Sequence, residues 1–91
     1  MDLKELRSEI DKIDDEIVRL FCARMDVAAR IADYKKAQGL PIFHPLREQE
    51  KLQDVAGKAG DEMGEYTKEL YQLLFELSRN YQSKRSGEVE P

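Results

Sequence analysis

Residues 2–38 read DLKELRSEIDKIDDEIVRLFCARMDVAARIADYKKAQ, with no glycine and no proline. Apolar side chains fall at Leu3, Leu6, Ile10, Ile13, Ile17 and Leu20, then at Val27, Ile31 and Tyr34. The steps alternate three and four, the period of an amphipathic helix seam. Asp2 with Glu5 three residues on reads as a capping box, and Gly39-Leu40-Pro41 is the stop. At about 1.5 Å per residue this helix spans roughly 55 Å. A small globule cannot bury such a length within itself, so the seam needs an equally long partner.

Beyond the stop, a short connection from Leu40 to His44 leads to Pro45, a residue suited to the first position of a second helix. Leu46, Leu52, Val55, Ala56 and Ala59 line one face of it, and Gly57 and Gly60 weaken its end. A third helix runs from about Met63 to Lys84. Its apolar side carries Met63, Tyr66, Leu70, Leu73, Leu74, Leu77 and Tyr81. The fold class is therefore all-α, three helices in the order long, short, medium. Residues 1–85 form the helical domain, and 86–91 read as a flexible tail.

Composition agrees. The chain has 91 residues, which allows one domain. Charged residues are 37% and hydrophobic ones 41%, a globular rather than a disordered balance. A domain this small buries only about 60–65% of its unfolded surface, so oligomerisation is expected. The net charge of −4 provides no global basic footprint for nucleic acid, while an anionic small ligand needs only local charge. The one cysteine, Cys22, excludes an internal disulfide and a cysteine-based metal cluster, and it reads as a small core or near-core residue. The start, Met-Asp-Leu-Lys-Glu, has no apolar signal region, and no apolar run approaches the roughly 20 residues of a membrane helix. The expectation is a soluble, cytoplasmic protein with no membrane or nucleic-acid partner.

The informative residues are polar ones on apolar seams. One step of four beyond Leu20 lands on Arg24, after which Val27 and Ile31 resume the pattern. A guanidinium there is snorkelling, paired with an acid, or serving a ligand, because an unpaired buried charge is very costly. Lys35 lies about three turns further on nearly the same face, roughly 16 Å along the axis, with room between the two cations for a small dianion. The plainer reading of Lys35 is a cation favoured at a helix end. Arg7 is about 25 Å from Arg24 on a straight helix and turned by roughly 100°. One chain cannot bring both to one small molecule, whereas an antiparallel partner could. Arg47 and Glu48 open the second helix, where an acid is favoured in any case; Glu48 shares a ridge with Leu52 and Val55 and faces inward. Ser78 and Gln82 extend the ridge of Leu74 at steps of four, and singly they read as ordinary polar residues. His44, before Pro45, reads as a helix cap rather than a metal ligand, as the sequence has no second histidine.

Together these residues resemble a known family, the all-helical chorismate mutases of the shikimate pathway. The resemblance covers roughly residues 3–83 and is carried by Leu6-Arg7, Ile10-Asp11-Lys12-Ile13-Asp14, Ala23-Arg24, Lys35, Arg47-Glu48, Ser78 and Gln82. It implies an intertwined homodimer with antiparallel long helices and two equivalent sites, each taking Arg7 from the other chain. It implies that Arg7 and Arg24 bind the two carboxylates of chorismate and that Lys35 and Gln82 donate to its ether oxygen. Glu48 would hold the ring hydroxyl and Ser78 would assist at a carboxylate, with Arg47 a neighbour of the site. His44 departs from the pattern, standing where the best-known member has Asp, which leaves that local contact open.

Chorismate to prephenate is an intramolecular [3,3] rearrangement in aromatic amino acid biosynthesis. It needs no nucleophile, metal or cofactor, and none is expected here. It needs the dianion held in a compact chair by positioned guanidinium forks, and donors where the breaking C–O bond places negative charge. Two other readings stand beside it. A non-catalytic helical oligomerisation or regulatory module accounts for the seams but not for Arg24. An isochorismate pyruvate lyase on the same scaffold accounts for both, although Glu48 favours the mutase.

Overall fold

The computed structural model describes residues 2–87. Its elements are α1 (Leu3–Gln38), α2 (Pro45–Ala59) and α3 (Gly64–Arg85), with no strand among the described residues. Ser86 caps α3 and Gly87 follows; residues 88–91 of the expected tail lie outside the described part. None of these helices is long and apolar enough to cross a membrane.

Local chemistry sets the boundaries. Asp2 accepts from the backbone N–H of Glu5 at 2.9 Å, satisfying one of the free donors of the first turn. At the other end Gly39 takes φ 68, and the N–H groups of Gly39 and Leu40 return to the carbonyls of Lys36 and Lys35. That is a Schellman closure, and its left-handed residue favours glycine. His44 caps α2 as expected: its Nδ1 accepts from the N–H of Arg47 at 3.0 Å, with Pro45 next in the first turn. The ring must therefore carry its proton on Nε2.

Both α1 and α2 pack on α3 and not on each other. The core is small: Ala28, Ala29 and Ala32 of α1, Leu52 and Val55 of α2, and Phe75 of α3. Small residues on α1 let α3 approach closely. At the α2–α3 junction, buried Gly64 does the same, since a Cβ there would stand 3.3 Å from the Ala56 carbonyl oxygen. Arg85 clamps Asp33 with two bonds of 3.1 and 3.2 Å, fixing the end of α3 against α1.

Two expectations are corrected. Cys22 is exposed, because it points away from the seam, nearly opposite Arg24's side of the helix. Leu46 is also exposed and does not join Leu52 and Val55 on the buried face of α2; at about 100° per residue it lies roughly 120° from Leu52 and 180° from Val55 around the helix.

The first half of α1 has nothing against it. Ile10, Ile13 and Ile17 are each 57% exposed, and Leu3, Leu6 and Leu20 are open as well. A second open stripe, Tyr66, Leu70, Leu73, Leu77 and Tyr81, runs along α3 away from its packed face. The molecule measures 54 × 26 × 23 Å, with a radius of gyration of 16.3 Å, against about 12 Å for a compact chain of this length. Its accessible surface is 7323 Å², where a compact monomer of the same mass exposes about 5,500 Å².

Candidate functional site

Because α1 and α2 meet α3 but not each other, a groove of about 860 Å³ opens between them. Arg24, Lys35, His44, Arg47, Glu48, Ser78 and Gln82 all line it. Of the residues singled out in the sequence, only Arg7 is absent: it is exposed, near the far end of α1. The apolar part of the wall is Leu20, Ala23, Val27, Ala28, Ile31, Ile42 and Phe75, so the seam of α1 runs directly into the groove.

Arg24 is half-buried, and none of the ion pairs among the described residues includes it. Its Nη1 donates to Ser78 Oγ at 2.8 Å, and its guanidinium carbon stands 5.8 Å from the ring centres of both Tyr71 and Phe75. One nitrogen is anchored and the apolar walls hold the plane, while the remaining N–H donors stay available. The internal acid pair that sequence allowed for Arg24 is not formed.

Lys35 likewise has no acid partner among the described residues. Its Nζ donates to the Ile42 carbonyl at 2.8 Å, which ties the end of α1 to the connection before α2 and leaves two of three protons free. Gln82 is buried and donates from Nε2 to the carbonyl of Ala28 at 2.9 Å. An amide nitrogen has two protons, so one locks α3 to α1 and one remains to donate.

Sequence reasoning missed Arg79. It lines the groove and its Nη1 reaches both oxygens of Glu48, at 2.6 Å to Oε1. The signal was present in its place directly after Ser78 and in an inward-facing Glu48 with no cation assigned to it. Glu50 and Lys51 also line the groove, and Lys51 is paired with Asp54. With Glu48 balanced by Arg79, and Lys51 sharing Asp54 with Lys58, the groove keeps at least Arg24, Lys35 and Arg47 against Glu50. It is locally cationic in a chain of net charge −4. No group of three or more His, Cys, Asp or Glu side chains among the described residues is placed to hold a metal ion.

Comparison with known proteins points the same way. The bifunctional chorismate mutase/prephenate dehydratase of Aquifex aeolicus is 48% identical over 54 residues, 59% of this chain and 15% of that protein. The chorismate mutase of Methanocaldococcus jannaschii is 41% identical over 46 residues, 50% of this chain and 46% of that protein. The 4-amino-4-deoxychorismate mutase of Streptomyces venezuelae is 37% identical over 46 residues, 50% of this chain and 45% of that protein. The match thus spans less than half the length of each relative. No solved structure matches the chain significantly. The family model described as chorismate mutase type II matches residues 6–83, from the open seam of α1 through Gln82. With that extent of match, and a three-helix plan that gathers the expected residues other than Arg7 into one groove, the chain belongs to the chorismate mutase type II family.

Proposed function

We propose that this chain rearranges chorismate to prephenate, and that it does so as a homodimer whose two grooves are each completed by Arg7 of the other copy. The observation that carries the reading is the pair of cations without acid partners among the described residues, Arg24 and Lys35, on one groove wall with a neutral donor, Gln82, opposite. A dianion supplies the missing charge. Arg24, steadied by Ser78, takes one carboxylate with its remaining fork. Lys35 and the free N–H of Gln82 meet the ether oxygen, where negative charge grows as the C–O bond breaks. Glu48 accepts from the ring hydroxyl, and Arg47 adds positive charge at the start of α2. The apolar wall excludes water and strengthens these contacts.

The groove's other guanidinium outside the ion pairs of the described residues, Arg47, stands at the start of α2, and in this reading the second carboxylate meets a fork from outside the chain. Arg7 is the candidate on grounds of reach: an antiparallel copy lying along the open seam of α1 would bring its own Arg7 to the Arg24 end. The same copy would cover Leu3 to Leu20 and the stripe on α3, surface that a stable monomer rarely leaves open. Incubation of the protein with chorismate, with products separated, tests the activity. Prephenate is the expected product. Salicylate with pyruvate would indicate the lyase, and unchanged chorismate would refute both readings.

A further inference from the structure

The Arg79–Glu48 pair has a consequence for substrate choice. Glu48 opens α2 and Arg79 lies on α3, 31 residues away. Their side chains are 22% and 34% exposed, so the pair is neither dry nor freely solvated. The guanidinium also stacks on Phe43, 4.8 Å from the ring centre, which fixes it against the connection leading into α2. The arrangement holds both partners in place on the groove wall.

A bare carboxylate accepts from a hydroxyl but attracts an ammonium more strongly, so alone it favours the charged donor. Glu48 is not bare. A carboxylate has about four acceptor positions, so with Arg79 on both oxygens it can still accept from a neutral hydroxyl. An ammonium in the same place would gain little from a carboxylate already balanced and would stand beside a guanidinium. We propose that Arg79 is a specificity-determining residue: by neutralising Glu48 it makes the groove select a ring hydroxyl over a ring ammonium. This rests on the reading above, in which Glu48 faces the ring substituent. A purely structural pair linking α2 to α3 would affect both substrates alike.

The test compares kcat/KM for chorismate and for 4-amino-4-deoxychorismate in the native protein, Arg79→Gln and Arg79→Lys. The ratio of the two constants does not depend on how much of a variant is folded, so a destabilised protein still reports it. The native ratio should favour chorismate. Arg79→Gln should move it toward the amino compound by about tenfold or more, the order expected for one charge some 5 Å away in partly solvated surroundings. Arg79→Lys, which keeps the charge, should leave it within about threefold on the same scale. A native preference for the amino compound, or an Arg79→Gln ratio unchanged while both constants fall together, overturns the proposal and leaves the mutase reading intact. A native protein that acts on neither compound overturns both.

Discussion

Arg24 and Ser78 lie 54 residues apart in sequence and meet at 2.8 Å, Nη1 to Oγ, across the contact of α1 with α3. A cation placed on a core seam is thereby held by a neutral hydroxyl rather than an acid. An acid would have neutralised it, whereas the hydroxyl orients it and leaves its charge for a ligand.

Ser78→Ala should therefore act on binding more than on chemistry. Loss of one hydrogen bond to a charged group costs about 1.5–3 kcal/mol, the lower end applying to a half-buried guanidinium. KM should rise several-fold with a smaller change in kcat, and urea unfolding should show a modest loss of stability. Steady-state kinetics with an unchanged KM would mean that the Ser78 anchor does not position Arg24 for substrate.

Lys35 should behave differently. In the proposed reaction its ammonium meets charge that exists only as the bond breaks, so Lys35→Ala should lower kcat by about 100- to 1000-fold. Initial rates at saturating chorismate read this directly. A variant that merely raises KM would remove Lys35 from the transition state.

Gln82→Glu should create a pH dependence. A neutral amide donates to the ether oxygen at any ordinary pH, whereas a carboxyl donates only when protonated. The variant should be active in acid and weaken as pH rises, while the native protein shows no such fall from this position. Burial beside the Ala28 carbonyl favours the protonated form and the Lys35 ammonium favours the charged one, so the direction of the activity change is set while its midpoint follows from their balance. A pH–kcat profile as high at neutral pH as in acid would mean Gln82 does not face that oxygen.

On α2, Asp54 is held below the usual carboxylate range by its hydrogen bond from Lys58 and then by that from Lys51. For a depressed acid the contribution is present above the unfolded value of 3.8 and is lost as pH falls through the lower folded one. The difference in thermal midpoint between native protein and Asp54→Asn should be level from pH 8 to about 5 and shrink below the unfolded value. It should also diminish with added salt, as these groups are exposed. A difference that grows in acid would contradict the assignment.

The helices were legible because their signals are local. Glycine-free periodicity gave α1, and Asp2, Gly39, His44 and Pro45 mark ends whose chemistry lies within a few residues. Arg24 was legible because it breaks a seam, and Ser78 and Gln82 because they continue one. Arg79 was hinted at only by its place after Ser78 and by an inward-facing Glu48, since the pairing itself lies across a helix contact that no sequence period records. Cys22 and Leu46 went astray for a related reason: apolar character indicates a preference for burial, but which face meets a neighbour is decided by tertiary packing. The open face of α1 was expected from length alone.

The central claim is that each groove is half a site, completed by Arg7 of a second copy. Arg7→Ala and Arg24→Ala proteins, each inactive alone, should be unfolded together, refolded as a mixture, and their heterodimers isolated and assayed for prephenate formation. In such a heterodimer one site lacks both arginines and the other keeps both. The account predicts that activity returns to about half the native value per dimer, as one of two sites is intact. Verified heterodimers with no more activity than either parent would contradict it.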